Sequence, residues 1–199
     1  NTPGLTVNPI INMAGDHGFN MVTFDNVRVP KKNLVGEQNR GWYVGATLLD
    51  FERSGVDYSA GGRRVLEELT DYAKNSSQNG SLISNNPIMR NRLANLAIEV
   101  EVSRLISYNI AWMQGEGLVP NKESSMGKVV GTELQQHLSE TGMQMLGLHG
   151  QLEPGSKYAP LDGRIEHMHL TNVSETIQAG TSEIQRNIIA TRGLGLPRG

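Results

Sequence analysis

The stretch KESSMGKVVGTELQQHLSETGMQML, residues 122–146, decides the fold class. Met126, Val130, Leu134, Leu138, Thr141 and Met145 recur every three or four residues, which sets them on one face of a helix. A strand would alternate every two residues and scatter them over both faces. Gly147 to Gly155 then breaks the pattern.

Working outward, a second helix is expected to open at Pro87, where a missing N–H costs nothing in a first turn. Its stripe of Met89, Leu93, Leu96, Val100, Ser103, Ser107 and Ile110 alternates spacings of four and three, a narrow seam facing a neighbouring helix. The two serines leave room for close approach. Upstream, Trp42, Ala46, Leu49, Arg53, Val56 and Ala60, continued by Val65, Leu69 and Tyr72, predict one long helix from Gly41. It stops in the polar loop Asn75–Gly80. Downstream, residues 157–176 predict a shorter helix with irregular ends. A last helix fits Ser182–Arg192, with Thr181 as N-cap, Glu183 at the positive end of the dipole and Gly193 as its stop. Three long helices and a short one, joined by short loops, predict a mainly α chain built as an antiparallel four-helix bundle.

Residues 1–38 follow another rule. They are rich in Gly, Asn and Pro, and Met21–Phe24 and Val27–Val29 read as strands about an Asp25–Asn26 turn, ended by Pro30. So little sheet cannot bury a face by itself. The expected organisation is therefore a β-domain fragment, 1–38, followed by a helical domain, 39–199.

Composition narrows the function classes. The chain has 199 residues, 37% of them apolar, a net charge of −2 and no cysteine. Nothing in that balance suggests nucleic-acid or membrane-surface binding, and disulfide and thiol chemistry are excluded. No apolar run approaches the roughly 20 residues of a membrane span. Asn1 to Val7 read as neither a signal nor a transit peptide but as the middle of a longer chain. His167 and His169 lack a Cys or acidic cluster to complete a metal site, and none is expected.

Three segments resemble the acyl-CoA dehydrogenase family. They are Gly18–Pro30 with Leu34-Val35-Gly36 and Gly41-Trp42, then Leu49-Asp50-Phe51-Glu52-Arg53, and above all the string Glu175–Ala190, ETIQAGTSEIQRNIIA. The resemblance covers the whole chain and makes it a carboxyl-terminal half: the end of the β-domain plus the helical bundle. It implies FAD-dependent removal of an α-proton and a β-hydride from an acyl-CoA, giving the trans-2-enoyl-CoA. Electrons would pass to an electron-transfer flavoprotein. It also implies a homotetramer, or a heterotetramer with related subunits, in the cytoplasm or, in a eukaryote, the mitochondrial matrix. This half alone is expected to be inactive and to hold FAD weakly.

Such chemistry needs a carboxylate base and donors aimed at the thioester oxygen. Many family members carry the base in the loop before the last helix, where this chain has Ala179; a minority carry it on the first bundle helix, at the position of Glu52. The resemblance therefore assigns the base to Glu52, although a helical glutamate is ordinarily a solvated surface residue. It implies substrate contacts at Asp50, Arg53 and Gly180, and flavin contacts at Thr181, Glu183 and Gln144, the last across a subunit interface. One departure stands out. Ser76 and Asn79 occupy positions where the family commonly has an arginine and a phenylalanine clamping a neighbouring subunit's FAD. Either Arg90 or Arg92 compensates, or flavin binding there is altered, as in a non-catalytic partner subunit of a heteromeric enzyme.

Overall fold

The structure is a computed structural model that describes residues 2–52 and 54–197, with only the backbone of Asp50 and Phe51. The chain divides into two units, residues 1–48 and 49–199.

In the first unit, β1 (Leu5–Ile10) pairs antiparallel with β2 (Phe19–Phe24), in a register running from Leu5 opposite Phe24 to Ile10 opposite Phe19. The connecting loop is held by Asn12, whose Oδ1 accepts from the N–H groups of Ala14 and Asp16. Val27–Val29 is not a strand, contrary to the sequence reading. Leu5–Ile10 supplies a longer partner in continuous register for the strand that ends at Phe24. Helix α1 (Gly41–Glu52) begins in this unit.

The second unit is helical: α2 (Val56–Asn75), α3 (Pro87–Gly115), α4 (Asn121–Leu146), α5 (Arg164–Thr171) and α6 (Ser182–Ile188). Side-chain pairings fix the directions. Glu99 meets His137 and Arg92 meets Gln144, so α3 runs antiparallel to α4. A Cβ at Gly62 would meet Leu134 and Leu138, and one at Gly142 would meet Leu69, so α2 and α4 run parallel. The centre of the bundle holds Val65, Leu69, Leu96, Val100, Leu134, Leu138 and Met145, all nearly inaccessible. Ile165 carries α5 into the same core, and the guanidinium of Arg164 pairs with Glu68 on α2.

Two further expectations change. The helix expected to run unbroken from Gly41 divides, because Gly55 takes φ 72°, a left-handed conformation that L side chains disfavour. The buried stripe begins again as Ser59, Gly62, Val65, Leu69 and Ala73, while Val56 and Ala60 are exposed. The polar loop after α2 is a small hairpin, β3 (Ser77–Gln78) with β4 (Ser81–Leu82). Asn79 and Gly80 at its tip both have positive φ, as a tight two-residue hairpin turn requires.

Candidate active site

The break at Gly55 leaves the last turn of α1 beside the first turn of α2. Leu49 and Glu52, Gly55, Asp57 and Tyr58 form one side of a cavity of about 230 Å³. Lys128 of α4 and Gln178–Ala179, from the segment before α6, complete its lining. Glu52 and the Ala179 position, far apart in sequence, thus share one cavity, and the Glu52 side chain is accessible within it.

Tyr58 lies flat over α4 because residue 131 is glycine: a Cβ there would sit 2.5 Å from Tyr58 Cδ2. Burial, then the charges of Glu175 and Asp57, push the phenol up to about 12, so it stays protonated and donates to Glu175 Oε2 at 3.4 Å. Gly131→Ala should force that ring aside and cost about 1–3 kcal/mol, read as a lower denaturation midpoint.

Residues 172–180 have little regular structure and are held from three helices. Gln136 Nε2 on α4 donates to the Asn172 carbonyl and the Thr176 hydroxyl, and Lys128 Nζ donates to the Glu175 carbonyl at 2.8 Å. Tyr58 acts from α2, and on α6 the buried Gln185 Nε2 donates to the carbonyls of Ala179 and Gly180. Ala179 has φ 52°, a conformation costing an L residue about 1–2 kcal/mol. The Gln185 clamp offsets this strain, and Gly180 beside it, at φ 92°, incurs no such cost.

The other sequence-predicted residues distribute as follows. The Thr181 side chain caps α6, accepting from the Ile184 N–H. Its hydroxyl donates to Glu183, which, with the Glu183 backbone N–H, holds that carboxyl below the usual range. Gln144 is not at this cavity: it lies sixteen residues beyond Lys128 on α4, about 24 Å along the axis. It accepts there from Arg92, so one of the two arginines named as compensating stands beside it. Arg53 and the side chain of Asp50 lie outside the described residues.

The acyl-CoA dehydrogenase C-terminal domain family matches residues 39–194. The chain belongs to the acyl-CoA dehydrogenase family. It is 35% identical to acyl-CoA dehydrogenase FadE26 of Mycobacterium tuberculosis across 98% of its own length and 50% of that protein. Human mitochondrial short-chain specific acyl-CoA dehydrogenase is 28% identical over 95% of the chain and 45% of that protein. Among solved structures, the ChsE4-ChsE5 complex from Mycobacterium tuberculosis aligns with all of the chain and 50% of its counterpart, at TM-score 0.85 and 33% identity. The chain thus spans about half the length of the curated acyl-CoA dehydrogenases it matches.

Sequence reasoning missed Lys128, Tyr58 and Gln185. Gln185 stands inside the ETIQAGTSEIQR string that carries the family resemblance, but Lys128 looks like any polar residue of a long helix.

Proposed function

We propose that this chain is the carboxyl-terminal half of an FAD-dependent acyl-CoA dehydrogenase in which Glu52 takes the α-proton of an acyl-CoA thioester. The reading is carried by one observation: Glu52 and the Ala179 position line the same cavity, and of the two only Glu52 can accept a proton. The product is the trans-2-enoyl-CoA. FAD, when bound, supplies the acceptor for the β-hydride, and the electrons leave to an electron-transfer flavoprotein.

The residues present fit such a group. Ser182 Oγ and Gln185 Oε1 are buried without a partner at the Ala179–Thr181 turn, leaving polar capacity that suits the polar edge of a ring. Thr181 and Glu183 are the residues of this turn that would hold it, with Gln144 reaching a neighbouring subunit's cofactor. Gly180 leaves room for substrate against the backbone, while Asp50 and Arg53, beside the base in sequence, would border the acyl group. Assembly with related subunits is supported by an exposed apolar stripe on α3, Ile98, Val102, Leu105 and Trp112.

A second reading, a non-catalytic partner subunit, is favoured by Ser76 at the C-cap of α2 and Asn79 at the hairpin tip, neither of which supplies a cation for a phosphate. One experiment separates the two. The full-length protein, purified alone, should be yellow, and its flavin should bleach anaerobically on adding an acyl-CoA. Protein that takes up flavin only beside a second subunit would replace the first reading with the second.

A further inference from the structure

We infer that Lys128 is a positioning residue for proton abstraction: its ammonium pins the Glu175 carbonyl and so sets the cavity wall that faces the acyl group. The inference rests on the reading of Glu52 as base and goes beyond it.

Lys128 is 3% exposed, an unusual situation for lysine, since burying an ammonium is costly without compensating hydrogen bonds. It stands on α4 and lines the cavity that contains Glu52. One bond it makes, 2.8 Å to the Glu175 carbonyl, reaches across 47 residues of sequence to a segment with no ladder of its own. The same residue is held a second time, through its carboxylate, by the Tyr58 hydroxyl. Glu175 is therefore gripped by backbone from α4 and by side chain from α2, three residues before Gln178 enters the lining. Tyr58 and Gln135 extend the link, because Gln135 Nε2 donates to the Tyr58 carbonyl at 3.0 Å. The helix that carries the lysine, the helix that follows Glu52 and the loop that forms the far wall are thus tied at one point.

Proton transfer from carbon depends steeply on the distance and angle between base and α-carbon, and a misplacement of about 1 Å can cost about 100-fold. A loop free to drift by that much would still close the cavity and still admit the thioester. Its loss would appear in the rate of the chemical step rather than in binding.

The test measures exchange of the α-hydrogens of an acyl-CoA with deuterium oxide, by mass spectrometry, in the full-length flavoprotein. Of a panel of acyl-CoA thioesters, the one exchanged fastest by the unaltered enzyme serves as the probe. Lys128→Met should lower the maximal exchange rate per bound flavin about 10- to 100-fold while half-saturation stays within about threefold. Lys128→Arg, which keeps a donor cation, should recover most of the rate, and Tyr58→Phe should show a smaller loss. If Lys128→Met lowers only the melting temperature and leaves the rate per flavin intact, the residue merely packs and the inference fails. A folded Lys128→Arg protein as slow as the methionine variant also overturns it, as does a change confined to half-saturation. Should Lys128→Met not hold flavin, Tyr58→Phe carries the test, and an unaltered maximal rate there rejects the tether. Glu52→Gln is the control: normal exchange in that protein would defeat the base assignment itself, separately from Lys128.

Discussion

Glu52→Gln should reduce flavin reduction by an acyl-CoA about 10²- to 10⁴-fold, the range that a positioned general base contributes. The substitution keeps the length and shape of the side chain and removes only its ability to accept a proton. Glu52 is exposed at the end of α1 and fills no core space, so fold and flavin content should survive. Nothing else at the Ala179 position can take over, since alanine offers no acceptor side chain. Stopped-flow absorbance of the full-length protein reads the loss directly. Reduction at the unaltered rate would remove Glu52 from the mechanism.

Leu138→Ala should destabilise the helical unit by about 2–5 kcal/mol, the usual cost of emptying a fully buried leucine site. Leu138 is 0% exposed and packs where α4 meets α2: a Cβ added at Gly62 would lie 3.3 Å from Leu138 Cδ1 and 3.2 Å from Leu134 Cδ2. Gly62 offers no side chain that could turn into the gap, so the void is filled only if the helices themselves shift. Urea denaturation should show a lower midpoint with an unchanged slope. A loss below about 1 kcal/mol would mean that the crossing collapses around the gap.

The α3 and α4 regions show what local pattern can reveal. The α3 seam was readable residue by residue: Leu96, Val100, Ser103, Ser107 and Ile110 are all buried. For α4 the pattern found Leu134, Leu138, Thr141 and Met145 but predicted one buried face, whereas Ser124, Gly127, Lys128, Gly131, Thr132 and Ser139 are buried too. Small and polar residues mark this second surface, and hydrophobic periodicity does not register them. The same blindness joined α1 to α2, because an apolar spacing carried across Gly55 outweighed a single glycine whose positive φ only the fold reveals.

By itself, the sequence determined that this chain is mainly helical, that much of its core lies along α3 and α4, and that the motif around Ala179 carries no carboxylate at that position. Those properties reside in side-chain period and in contiguous strings, which survive without any fold. Tertiary structure alone decided that Glu52 and Ala179 border one cavity and that Lys128, Tyr58 and Gln185 hold its wall. The Gln185 clamp spans only six residues. Lys128 and Glu175, Tyr58 and Glu175, and Glu52 and Ala179 stand 47, 117 and 127 positions apart and come together only after the helices pack; no local preference encodes a contact at that separation.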